Sequence, residues 1–164
     1  MSEKRFELAE ILQHAIDAES TLGVCCTHLS ALIHNGKVRS QFGVFAKKAE
    51  ENKKFLITYL EILGVRDFVF ESKCELCKMK PESFSLSGAL NVALEIVEVS
   101  VGLLKQLSAK SSDQNDKKLF KKLLSEKNTQ RDFLKKEQEF NLSDKELPGC
   151  VGEYCIPQVI GKIV

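Results

Sequence analysis

The chain has 164 residues, with 24 Lys and Arg against 23 Asp and Glu, three His and a formal net charge of +1. That length suits one domain with a sizeable core, and 43% hydrophobic with 29% charged residues excludes a disordered or fibrous chain. The near-neutral balance leaves no electrostatic footprint for nucleic acid, no apolar run reaches the roughly 18 residues of a membrane span, and MSEKRFELAE lacks a secretory h-region, which predicts a cytoplasmic protein.

Residues 3–34 read as one long helix, because Leu8, Leu12, Ala15, Leu22, Cys26, Leu29 and Ile33 recur at 4-3 spacing. Asn35-Gly36 reads as its stop. A second helix is expected from about Lys37 to Leu63 on the stripe Val38, Phe42, Phe45, Ala49, Leu56, Tyr59 and Leu63, and Gly64 ends it. From Val65 to Ser85 no period persists, and Asp67–Phe70 reads as a short extended piece. Ser83 or Ser85 can cap a third helix, Leu86 to about Ala109. Ser111-Ser112-Asp113 supplies the next turn and cap, and a fourth helix runs to about Phe140. The chain is therefore all-α, with residues 1–140 as a bundle, a connection at 64–85 and a tail at 141–164 that packs on the bundle or on a partner.

The connections are short, long and short, and this pattern carries topological information. A helix of about 26 residues is about 39 Å long, and twenty extended residues reach about 66 Å. The middle connection can therefore run the length of the bundle and start the third helix parallel to the second. A simple up-down-up-down bundle with an inserted loop is the alternative.

Polar residues interrupt the buried stripes at mid-height. Glu19 falls on the stripe of the first helix, Asn52 on the second, Ser100 inside the arc Ala93, Val97 and Leu104 of the third. Lys127 and Gln130 fall on the face of the fourth helix marked by Leu119, Phe120, Leu123, Leu124 and Leu134. A carboxylate in an apolar seam is costly unless it is paired or bound to metal. These five residues are expected to form a buried cluster in which Glu19 pairs with Lys127, since an ammonium supplies the charge a buried carboxylate requires.

This arrangement resembles the ferritin-like superfamily, rubrerythrins in particular, whose bundles carry one long crossover between helices 2 and 3. The family's diiron pattern is a Glu on the first helix, Glu-x-x-His on the second, a Glu on the third and Glu-x-x-His on the fourth. Phe45–Phe55 looks like the stretch around the first Glu-x-x-His, Ser125–Thr129 like the second, and Glu95-x-x-Glu98 mimics a paired-glutamate motif. The resemblance covers about residues 3–140 and rests on topology more than on motif identity. It implies iron- or peroxide-related activity. Glu19 matches the first ligand, and a carboxylate-rich iron site would draw on Glu19, Glu50, Glu95, Glu98 and Glu126. Neither Glu-x-x-His motif has its histidine: Lys53, Lys54 and Thr129 stand three residues after Glu50, Glu51 and Glu126. The diiron centre is accordingly expected to be impaired or lost.

Six cysteines occur as Cys25-Cys26, Cys74-x2-Cys77 and Cys150-x4-Cys155. The two loop pairs suggest a four-thiolate zinc site stapling the connection to the tail, or a thiol–disulfide pair at Cys74 and Cys77. Cys26 reads as a small apolar filler. Cys25 and His28 share a helix face, and a metal there is weighed against simple packing. His14 and His34 read as surface or boundary residues. The basic fourth helix, interspersed with Asp116, Glu126, Asp132, Glu137 and Glu139, reads as a solvated face. Three functions stand open: a divergent rubrerythrin-like protein, a non-enzymatic structural or interaction protein with a zinc or thiol staple, and a thiol redox protein. A homodimer is expected, with the apolar end 156–164 as a candidate interface, and neither nucleic acid nor a membrane as partner.

Overall fold

The computed structural model of the protein describes residues 2–33, 36–67 and 86–143. They form four helices: α1 (Glu3–Leu32), α2 (Gly36–Ile62), α3 (Leu86–Lys110) and α4 (Gln114–Ser143). The boundaries fall within a few residues of those expected from periodicity, and the caps explain why. Ser2 accepts from the Arg5 backbone N–H at 3.4 Å and starts α1. Asp113 Oδ1 accepts from the backbone of Asn115 at 2.7 Å and of Asp116 at 3.2 Å and starts α4. Asp113→Ala should therefore cost about 1 kcal/mol, read as a lower urea midpoint with an unchanged slope.

Gly64 ends α2 with φ +85°. Its N–H donates to Glu61 O at 2.9 Å and the Val65 N–H to Leu60 O at 3.3 Å, the paired bonds of a left-handed glycine stop. The end of α1 differs from the expectation at Asn35-Gly36. α1 closes at Ile33, which is extended at φ −82° and donates its N–H to Leu29 O, and Gly36 is the first residue of α2 without a positive φ. The stop is in the expected place but does not use a left-handed glycine there.

Side-chain contacts set the direction of each helix. Ser30 Oγ donates to Arg39 O at 3.2 Å, so α1 and α2 form an antiparallel hairpin. Lys4 reaches Ser112 and Glu7 pairs with Lys110, so α3 is antiparallel to α1. Gln138 bonds Asn91, and Lys135 pairs with Glu98 at 3.4 Å, so α4 is antiparallel to α3. Lys48 meets Glu126 at 3.3 Å and Tyr59 meets Asp116, so α4 also lies antiparallel to α2. It follows that α2 and α3 run parallel, while α1 and α4 are parallel on a diagonal. Asp67 and Leu86 consequently belong to opposite ends of the bundle. The 18 residues between them can span about 60 Å, ample for helices about 40 Å long. This excludes the up-down-up-down alternative and establishes the long crossover.

The apolar interior is divided in two. One cluster joins Leu22, Leu29, Val38, Phe42, Phe45, Leu90, Val97 and Leu134. The other joins Leu12, Ile16, Leu56, Leu60, Leu104, Leu107, Phe120 and Leu123. The mid-height polar residues lie at the levels that separate them. Among the described residues, α3 is the one helix long and apolar enough to cross a membrane by length and composition, a property that unbroken runs do not reveal. α3 packs against both α1 and α4, and 39% of its most apolar stretch is buried.

Candidate functional site

Glu19, Asn52, Ser100, Lys127 and Gln130 are all buried and meet at the middle of the bundle. Lys127 is 0% exposed and Glu19 3%. The Lys127 ammonium donates to both carboxylate oxygens, at 2.7 Å to Oε1 and 2.8 Å to Oε2, along the diagonal between α4 and α1. Its third hydrogen goes to Gln130 Oε1 at 3.2 Å, one turn along the same helix. Ser100 Oγ donates to Glu19 Oε1 at a long 3.5 Å. Asn52 faces the carboxylate and favours its charge, although Nδ2 has no partner at hydrogen-bond distance.

Burial pushes the Glu19 carboxyl above its ordinary value. The Lys127 charge and hydrogen bond oppose this rise, followed by Asn52 and Ser100. Desolvation dominates because both ions have left water, where each was strongly solvated. The site is thus a neutral unit, an acid and an amine whose charges cancel.

The carboxylate-rich alternative does not assemble. Glu50, Glu95 and Glu98 are exposed, because positions 50 and 98 sit two residues from the buried Asn52 and Ser100, nearly opposite on their helices. Glu98 is instead engaged by Lys135 and Arg131. Glu126 is half-buried on the α2–α4 rim and pairs with Lys48. Among the described residues, no three His, Cys, Asp or Glu side chains converge as metal ligands.

Cys25 and Cys26 are both buried in the core and neither is in a disulfide. His28 is half-buried beside an outer groove of about 680 Å³ between α1 and α2, and His14 lines one of about 480 Å³ between α1 and α3. Neither groove includes a member of the mid-bundle cluster. Cys74, Cys77, Cys150, Cys155, His34, the caps Ser83 and Ser85, and the apolar end 156–164 lie outside the described residues.

One interaction escaped the sequence reading. Tyr59 Oη donates to Asp116 Oδ2 at 2.5 Å, and its ring meets Phe120 edge-on at 5.3 Å. Both residues were visible, one on a stripe and one among helix charges, but their pairing follows from the antiparallel register of α2 and α4. Burial and then Asp116 raise the Tyr59 hydroxyl above the ordinary tyrosine range. The folded protein therefore keeps a proton that the unfolded chain releases near pH 10, so this contribution is complete below that pH and is lost as pH rises beyond it. Tyr59→Phe should cost about 1 kcal/mol at neutral pH and flatten the alkaline fall in the thermal midpoint.

The backbone arrangement is shared with a solved structure. A search of solved structures matches a crystal structure of ferritin-like, diiron-carboxylate proteins from Bacillus anthracis strain Ames, with TM-score 0.72 over 84% of this chain and 99% of that one. The chain has a ferritin-like fold. Sequence identity to that protein is 12%, no protein-family model matches this ferritin-like chain, and no curated protein matches it in sequence. That neighbour is described as a diiron-carboxylate protein, and the donors in this bundle can be compared with the needs of such a centre. A diiron-carboxylate site in such a bundle draws several carboxylates and two histidines from its four helices. Among the described residues, Glu19 is the one acid buried at the middle of the bundle, and an ammonium occupies both of its oxygens. The described residues do not supply the donor set of such a centre.

Proposed function

We propose that this ferritin-like protein is a non-enzymatic structural or interaction protein, in which a buried ion pair stands where such bundles hold diiron. The single observation that carries the reading is the Lys127 ammonium bound to both oxygens of Glu19. That contact uses the carboxylate's ligating atoms and supplies the positive charge the acid needs. The grooves lined by His28 and His14 leave the cluster out, which supports a structural role for it. On this reading the iron- or peroxide-related chemistry implied by the rubrerythrin resemblance is not retained.

Elemental analysis of protein purified without added metal tests the proposal. The expected result is no stoichiometric iron and no peroxide turnover. A pair of iron atoms per chain would overturn the reading. Zinc at one per chain would add a thiolate staple at Cys74, Cys77, Cys150 and Cys155 to the same structural role.

A further inference from the structure

We infer that the middle of the bundle is a binding site for a linear primary ammonium, filled in the native protein by the chain's own Lys127. This rests on the reading above and says what kind of site the cluster is. Apart from Lys127, the groups there among the described residues are one carboxylate and neutral polar side chains: Glu19, Asn52, Ser100 and Gln130. Two Glu19 oxygens and Gln130 Oε1 receive the ammonium at 2.7, 2.8 and 3.2 Å. These are as many acceptors as an ammonium has hydrogens. Asn52 Nδ2, buried without a partner, adds a further polar group beside the carboxylate. Apolar clusters above and below supply walls suited to an alkyl stem. The site therefore specifies one positive charge, three hydrogen bonds and a narrow aliphatic tail.

Lys127→Ala removes Cγ, Cδ, Cε and Nζ, the atoms that n-propylammonium replaces one for one. The variant should melt well below the wild type. Its melting temperature, followed by circular dichroism, should climb with each tenfold rise in n-propylammonium chloride, as for a ligand bound by the folded state alone. Equal concentrations of n-propanol or sodium chloride should give a much smaller shift, since one lacks the charge and the other the stem. The double variant Glu19→Gln/Lys127→Ala should not distinguish the ammonium from the alcohol. If Lys127→Ala is unfolded when purified, adding n-propylammonium should restore its helical signal.

Equal effects of propanol and propylammonium on Lys127→Ala, equal rescue of the double variant, or no response in either form would overturn the inference. Iron content of the wild-type protein is a separate measurement. It can overturn the structural reading without involving this variant, and a failed rescue leaves that reading intact.

Discussion

Lys127→Met lowers the unfolding free energy by about 3–5 kcal/mol at neutral pH, because it strands a buried carboxylate, and Glu19→Gln/Lys127→Met recovers most of that loss. The single variant keeps the volume of the stem but removes the charge that lies 2.7 Å from Glu19 Oε1. The double variant removes both charges, and replacing a whole buried pair by uncharged residues is often neutral or stabilising. Urea denaturation of the three proteins measures both steps. If the single and double variants both match the wild type, the pair has no energetic consequence.

The same experiment has a pH signature. Burial already raises the Glu19 carboxyl above its ordinary 4.5, and Lys127 is the main influence holding it down. In Lys127→Met that restraint is gone, so the folded state holds the Glu19 proton to higher pH than the unfolded chain does. The folded state then binds more protons above the ordinary glutamate range, and stability falls as pH rises through that window. The deficit of Lys127→Met relative to the double variant should accordingly be small near about pH 4 and grow as pH rises above the ordinary glutamate range. A deficit independent of pH would mean that lost packing, and not a stranded charge, causes it.

Phe42→Ala costs about 3–5 kcal/mol, the second large effect, through a cavity in the cluster nearer the α1–α2 turn. Phe42 is 0% exposed. Its ring meets Phe45 at 6.0 Å and Phe133 at 6.4 Å, and Phe45 meets Phe133 at 5.4 Å, all edge-on. These three rings join α2 to α4 on the side of the polar cluster opposite Tyr59. Phe42→Leu should lose much less, about 1–1.5 kcal/mol, because most of the volume returns while the ring geometry does not. Thermal or urea unfolding of both variants checks the order. Similar losses for the two would assign the effect to the aromatic contacts and not to the cavity.

Much of the site was legible in the sequence because a helix converts spacing into direction. Glu19, Asn52, Ser100, Lys127 and Gln130 stand out as polar residues at positions that continue the apolar stripe of their helix. The same periodicity points Glu95 and Glu98 outward, where the structure has them. Glu126 was harder to place. It adjoins Lys127 on α4, and only the approach of Lys48 on α2 shows that it belongs to a rim and neither to the interior nor to open solvent. The Phe42, Phe45 and Phe133 cluster was equally hidden: two rings lie on one stripe, and the third comes from a helix about ninety residues later in the chain.

The sequence by itself determined four long helices, the stripe each one buries and the turn at which each stripe is interrupted by a polar side chain. Those properties are local, since a 3.6-residue period assigns faces without reference to any neighbour. Only the tertiary structure decided that the acid on α1 meets the amine on α4 and, among the described residues, no second carboxylate. That outcome depends on the diagonal placement of two parallel helices and on their axial register. A slip of α4 by one turn, about 5.4 Å, would leave every stripe apolar while separating charges that now touch at 2.7 Å.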